Sequence, residues 1–90
     1  MQSRQVLEYL QDLAERLGVE VIYQKLEEEE FAVRGGLCKV NGNFKIFINQ
    51  SQSVENQINI LAQGLASFNI EEIFLFPYIR TVLEKARRQP

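Results

Sequence analysis

The chain opens with a helical pattern of apolar residues. Apolar side chains recur at steps of three and four residues from Val6 to Leu17, which places them along one stripe of an α-helix. Ser3 is suited to cap the start of this helix. Gly18 is suited to the left-handed conformation that commonly ends one. The pattern therefore predicts an N-terminal helix that buries one face.

An alternating stretch follows the helix. Within Val19–Leu26 the apolar period switches to two, with Val19, Val21 and Tyr23 on one face, and this pattern predicts a β-strand. Four adjacent glutamates, Glu27–Glu30, come next, and their mutual repulsion favours a solvated turn or hairpin loop. A cation site is the alternative interpretation, which the run supports poorly because it lacks the alternating ligands and the glycine of a calcium loop.

The dipeptide Asn41-Gly42 is the strongest turn signal in the chain. Both residues accept the positive φ that a type I′ turn requires, so the dipeptide predicts a hairpin joining Leu37–Val40 to Asn43–Asn49. Two consecutive glycines at positions 35 and 36 interrupt the preceding apolar run, and such a pair is typical of a bulge or a kink.

Two more helical stripes occupy the second half of the chain. One begins after Ser53, a natural N-cap, and continues to Phe68. After a short turn, the other begins at Pro77, which suits the first turn of a helix. The order of elements predicts one α+β domain over residues 1–90. It consists of an N-terminal helix, a small antiparallel sheet of three or four strands, and two C-terminal helices packed on the sheet.

Composition narrows the class of protein. The chain has 90 residues, 46% of them hydrophobic and 24% charged, which is typical of one globular domain rather than of a disordered segment. It carries neither a signal-peptide pattern nor an apolar run near the ~20 residues of a membrane helix. Its single cysteine excludes an internal disulfide, so we expect a cytoplasmic protein with no membrane partner.

The residue types present disfavour catalysis. The chain contains no histidine, which removes Ser-His and Cys-His nucleophile pairs and the usual ligands of zinc. Cys38 lies in a predicted strand, where we expect a small buried apolar side chain rather than a reactive thiol. The adjacent carboxylates Glu71 and Glu72 should point in different directions. We therefore expect no enzymatic activity, no metal and no cofactor.

The stretch "ILAQGLASF", Ile60–Phe68, follows a predicted strand ending in "IFIN" and a short polar loop. Over roughly residues 31–68 this arrangement resembles the core of ImmA/IrrE-type metallopeptidases, whose motif helix reads His-Glu-x-x-His. The resemblance implies that the two zinc-ligand positions correspond to Gln63 and Ser67, and the general-base position to Gly64. None of these residues can perform those roles, so the resemblance implies a degenerate relative without its metal site.

The resemblance also implies a geometry for this helix. Gln63 and Ser67 should lie one turn apart on a face that overlooks the "IFIN" strand. Leu61 and Leu65 should be buried against the core. Gly64 should mark a close approach of the helix to the sheet, since a glycine within a helix usually permits tight packing.

Two non-enzymatic functions are compatible with the chain. The first is a protein-interaction or dimerisation module, which would bind a peptide along a sheet edge or a partner through Phe47, Phe74, Phe76 and Tyr78. The segment "IFLFPY", Ile73–Tyr78, supports this function because six consecutive apolar residues exceed one helix face. A segment that wraps the core of a small domain is the alternative interpretation.

The second function is a nucleic-acid-associated regulatory role for the basic C-terminal helix. Lys85, Arg87 and Arg88 would supply the positive charge, and residues 31–90 carry a net charge of +3 against −5 for residues 1–30. A sequence pI of about 5.1 and the lack of a recognised motif argue against nucleic acid. Basic residues at the end of a helix are also favoured by its dipole alone.

Overall fold

The computed structural model describes residues 1–25 and 35–88, and within them the chain forms three helices and one three-stranded sheet. The helices are α1 (Ser3–Arg16), α2 (Val54–Ala66) and α3 (Pro77–Arg87), and the strands are β1 (Glu20–Gln24), β2 (Gly35–Val40) and β3 (Asn43–Asn49). The predicted α+β class and the order of its elements are confirmed. The turn or cation site predicted at Glu27–Glu30 lies outside the described residues.

The sheet is mixed rather than antiparallel. Its strand order is β1-β3-β2, with β2 antiparallel to β3 as predicted and β1 parallel to β3. The antiparallel prediction is therefore wrong for the β1–β3 pair. β1 and β2 do run in opposite directions, but β3 lies between them and pairs with both. The register places Val21 beside Ile46 and Tyr23 beside Ile48, so these side chains share the face that α2 covers.

The hairpin between β2 and β3 has the predicted turn. Asn41 has φ of 53° and Gly42 has φ of 83°, the pair of positive values that defines a type I′ turn. The predicted bulge at Gly35–Gly36 is wrong, because the pairing runs residue for residue from Gly35 beside Ile48 to the turn. No extra residue interrupts the ladder between the described parts of these two strands.

Gly42→Val should lower the free energy of unfolding by about 1 kcal/mol or more, because a β-branched residue resists positive φ. A Cβ atom at this position meets nothing within 4 Å, so the loss is conformational rather than steric. Thermal and urea melts measure the effect. The matched control is Asn41→Gly, which keeps a turn-compatible dipeptide and should change stability little. Equal losses of unfolding free energy in Gly42→Val and Asn41→Gly would contradict the type I′ turn.

The core lies between the sheet and a layer of helices. Ile46 and Ile48 of β3 are 0% exposed, and α2 packs across β2 and β3 with Leu61 and Leu65, which are also 0% exposed. The burial of both leucines confirms the prediction made from the motif resemblance. The fully buried large side chains are Leu10, Leu13, Ile46, Ile48, Leu61, Leu65, Ile79 and Leu83.

The third helix occupies a different position from the predicted one. α1 packs on α2 and contacts β1, whereas α3 packs chiefly on α2, so the prediction that both C-terminal helices pack on the sheet holds for α2 alone. Strand spacing accounts for the difference. Three strands about 4.8 Å apart make a face that two helices of about 10 Å diameter cover completely.

The residues that cap the helices match the prediction at some helix ends and differ from it at the start of α1. Ser53 caps α2, its hydroxyl oxygen accepting the backbone N–H of Asn56 at 3.1 Å. Gly18 has φ of 75°, as expected past the end of α1. The N-cap of α1 is Gln2 rather than Ser3, because the side chain of Gln5 reaches back to accept the Gln2 backbone N–H at 2.9 Å. This bond leaves Ser3 as the first helical residue.

α2 ends before the apolar stripe from which it was predicted. The helix ends at Ala66, with Ser67 as its C-cap, so Phe68 lies beyond the helix that the stripe predicted. Phe68 nevertheless packs against the sheet, since its ring meets that of Phe44 edge-on with 5.0 Å between centroids. Tertiary packing therefore continues where the helical backbone stops.

Candidate functional site

The three residues at the positions of the peptidase motif differ in burial. Gly64 is buried, and a Cβ atom placed on it would lie 2.8 Å from Cδ1 of Ile46 and 3.6 Å from Cβ of Leu37. This confirms the predicted close approach of α2 to the "IFIN" strand. Gln63 and Ser67 are exposed, and the Ser67 hydroxyl donates to the Gly64 carbonyl oxygen at 2.7 Å. The glycine position thus faces the sheet, while Ser67 serves as a helix cap.

Two other groups considered for chemistry lie at the surface. Cys38 is exposed, so its predicted burial is wrong. It pairs with Lys45 on β3, and both side chains point to the face of the sheet that α2 does not cover, since Leu37 takes the inward position. Glu71 and Glu72 are exposed on a turn. Among the described residues, no three His, Cys, Asp or Glu side chains converge on a metal position.

Large aromatic side chains are exposed between α2 and α3. Phe74 is 75% exposed, Phe76 is 47% exposed and Tyr78 is 53% exposed. The rings of Phe74 and Phe76 lie 5.9 Å apart, and the ring of Phe76 lies 5.3 Å from that of Tyr9 on α1. We call these four residues the aromatic surface. It joins the start of α3 to the middle of α1.

The backbone of residues 73–79 divides its side chains between core and surface. Ile73 is half-buried, Leu75 is 4% exposed and Ile79 is 0% exposed, so these residues wrap the core as the alternative interpretation of the segment proposed. The intervening aromatic residues point outward. Core wrapping therefore accounts for two of the six residues of Ile73–Tyr78, and an exposed apolar cluster of this kind commonly marks a binding surface.

Phe47 lies apart from the aromatic surface. It stands between Ile46 and Ile48 on the central strand, so its side chain points to the opposite face of the sheet from the helices. The structure brings Phe74 and Phe76 into ring contact and places Tyr78 two residues further on, in the first turn of α3, while Phe47 lies on another side of the molecule.

A groove between the three helices adjoins the aromatic surface. Its volume is about 320 Å³, and we call it the helical groove. Its apolar floor consists of Val6, Ile58, Ala62, Val82 and Ala86. Tyr78 belongs to both features, and Tyr9 lies one turn of α1 beyond Val6. The groove, whose walls also include Ser3 and Asn59, therefore adjoins the aromatic surface.

The rim of the helical groove carries charges of both signs. Glu55 on α2 and Lys85 on α3 line it from different helices. The carboxylate of Glu55 accepts a hydrogen bond from the Ser3 hydroxyl at 3.2 Å. Lys85 forms no ion pair with any residue that the structure describes. The rim can thus receive one basic and one acidic group from a partner.

Sequence reasoning found Phe74, Phe76 and Tyr78 but missed Tyr9 and the groove. Tyr9 follows Val6 at helical spacing, so the α1 stripe carried a signal for it. The groove itself depends on the packing of α1 and α3 against α2, for which the sequence contains no local signal.

The basic end of α3 is partly engaged within the fold. The Nε–H of Arg87 donates to the carbonyl oxygen of Ala66 at 3.0 Å, which ties α3 to the end of α2. Arg88 is the C-cap residue of α3. One of the three basic side chains considered for nucleic acid is therefore used to satisfy an unpaired helix carbonyl.

No helix in residues 1–25 and 35–88 has the length and apolar character needed to cross a bilayer. Comparison with known proteins gives no match: no family model matches the sequence, no curated protein matches it, and no solved structure matches the chain. The ImmA/IrrE resemblance accordingly remains a prediction from the sequence.

Proposed function

We propose that this chain is a non-catalytic protein-interaction module that binds a protein partner through its aromatic surface. The exposure of Phe74, Phe76 and Tyr78 carries the proposal. These side chains remain outside a core that is complete without them. Aromatic side chains are enriched in interface cores, where they combine a large contact area with few rotatable bonds.

The neighbouring helical groove supports the same function. An apolar floor beside exposed rings, with charged groups at the rim, is the usual composition of a protein-binding patch. The described residues also contain no cluster of metal-binding side chains, and the motif positions hold Gln63, Gly64 and Ser67. We therefore infer a core that resembles a zinc peptidase without its metal site and binds rather than cleaves.

Affinity capture from the source cell's lysate, with bound proteins identified by mass spectrometry, tests the proposed function. We expect wild-type protein to retain a partner that the double variant Phe74→Ser/Phe76→Ser loses. The matched control is Val40→Ser, which replaces an apolar residue that is 40% exposed on β2 and should retain the partner. Identical captured proteins for all three chains would contradict binding of a different protein through the aromatic surface.

Purified protein should contain far less than one zinc ion per chain and should show no peptidase activity. The reason is that zinc prefers imidazole and thiolate ligands, and the chain supplies no histidine and one cysteine. Metal analysis of protein prepared without added zinc measures the content. Stoichiometric zinc that disappears together with activity in Cys38→Ser would overturn the prediction.

Nucleic-acid binding by α3 receives less support. Arg87 is engaged with Ala66, and Lys85 lies at the rim of the helical groove. A sharply salt-dependent association with duplex or single-stranded nucleic acid would reverse this order of preference.

A further inference from the structure

The exposed apolar side chains are concentrated on one side of the molecule. Of the five large apolar side chains most exposed in the described residues, four belong to the aromatic surface or to the lining of the helical groove. These four are Met1, Phe74, Phe76 and Tyr78, and the fifth is Val40 on the hairpin. Most of the strongly exposed large apolar side chains of the described residues therefore lie in or beside the helical groove.

This region contains both a projection and a recess. Phe74 is 75% exposed, so most of its side chain stands clear of the surface. The helical groove has a volume of about 320 Å³, and an apolar cavity of roughly 150 Å³ is enough to hold benzene. One phenyl ring from a partner would fit within the groove and leave room for a second side chain.

The charges at the rim indicate which partner fits. Glu55 and Lys85 are of opposite sign and lie on different helices of the same groove. A partner of a single charge sign would satisfy one of them and repel the other. A second copy related by a two-fold axis satisfies both, because the Glu55 of each copy then faces the Lys85 of the other.

We propose that the chain forms a two-fold symmetric homodimer in which Phe74 of each copy inserts into the helical groove of the other. An isologous interface uses one patch twice, so a projection and a recess within that patch complement each other in both directions. A stable interface of standard size buries roughly 800 Å² of solvent-accessible surface on each partner. That area is about an eighth of the 6265 Å² of accessible surface of this chain. This inference rests on the proposed interaction function and names the partner as a second copy.

Analytical ultracentrifugation from about 1 μM to about 1 mM tests the dimer. We expect wild-type protein to shift from a monomer of 10.5 kDa to a species of twice that mass. Phe74→Ser should weaken dimerisation by about 30-fold or more, the effect of removing a buried interface anchor. Val40→Ser should leave it unchanged. A chain that stays monomeric at every concentration would overturn the proposal. A dimer whose dissociation constant is unchanged by Phe74→Ser would also overturn it.

A charge exchange gives a second test that does not depend on Phe74. Glu55→Lys alone places two basic side chains at each groove, and Lys85→Glu alone places two acidic ones, so each variant should dimerise more weakly than wild type. An equimolar mixture of the two should form a mixed dimer about as well as wild type, because every facing pair is then opposite in charge. A mixture no better than either variant alone would overturn the two-fold pairing.

The two proposals can fail separately. A chain that stays monomeric but loses a captured protein through Phe74→Ser/Phe76→Ser would overturn the homodimer and leave the interaction function standing. The chain could instead form a dimer that depends on Phe74, while the double variant captures the same other proteins as wild type. That result would identify self-association as the whole of the interaction function.

Discussion

Leu65→Ala should lower the free energy of unfolding by about 3 kcal/mol, a larger loss of stability than we expect at any exposed position of α2. Leu65 is 0% exposed and lies on the face of α2 that packs on the sheet. Its truncation removes apolar contact and leaves a cavity that the surrounding side chains fill only partly. Small domains have total stabilities of roughly 5–15 kcal/mol, so this one substitution should remove about a fifth to three fifths of the total.

Urea denaturation with circular dichroism measures the loss at Leu65. The control is Val40→Ala, which truncates an apolar side chain that is 40% exposed and should cost less than about 1 kcal/mol. A loss at Leu65 no larger than the loss at Val40 would mean that α2 does not bury this face against the sheet.

Gly64→Ala should lower the free energy of unfolding by about 1–2 kcal/mol, although alanine is the better helix former. Replacing a helical glycine gains up to about 1 kcal/mol of intrinsic propensity. The added methyl group, however, would lie 2.8 Å from Cδ1 and 3.2 Å from Cγ1 of Ile46. β-branching leaves Cγ1 of Ile46 little freedom to move aside, and Cδ1 can turn away only into a packed core, since Ile46 is 0% exposed. Overpacking of this kind costs roughly 1–3 kcal/mol and should exceed the gain.

A double-mutant cycle isolates the contact at Gly64. Ile46→Val deletes the Cδ1 atom that a new methyl group would meet, so the pair Gly64→Ala/Ile46→Val should be more stable than the sum of the single losses by about 1 kcal/mol. Ile48→Val is the matched control, because Ile48 is also 0% exposed on β3 but is not among the nearest atoms to Gly64. It should combine additively with Gly64→Ala. Stabilisation by Gly64→Ala alone would show that α2 and β3 are not in close contact.

The features predicted correctly are those encoded by neighbouring residues. The apolar stripe of α1, the Ser53 cap and the Asn41-Gly42 turn each depend on a few consecutive side chains and their preferred φ values. The close approach at Gly64 was also predicted, because a glycine inside the apolar stripe of a helix usually permits tight packing against a neighbouring element.

The wrong predictions concern relations between elements far apart in the chain. The parallel pairing of β1 with β3 and the position of α3 on α2 are decided by which surfaces remain free once the first elements have packed. The exposure of Cys38 follows from the same cause. Its residue type suggested burial, but only the inner face of β2 is covered by a helix.

For the candidate site too, one part could be predicted from local sequence and another part depended on tertiary packing. Six consecutive apolar residues at Ile73–Tyr78 indicated that some would remain exposed, and the chain order placed them between two helices. Which residues of the run are exposed depends on the path of residues 69–76, which has no helical or strand period from which to predict it. The packing on the core turned Leu75 inward and Phe74 outward.

Local conformational preference and residue type were enough to predict the α+β class, the approximate limits of most elements, the turn of the hairpin and the absence of histidine chemistry. The tertiary structure alone decided the strand order, the helical groove and its meeting with the aromatic surface. Those features arise where α1 and α3 pack on α2 and bring Val6, Glu55 and Lys85 to one surface. Burial of apolar area is non-directional, so the hydrophobic pattern specifies which faces are covered but not which element covers them.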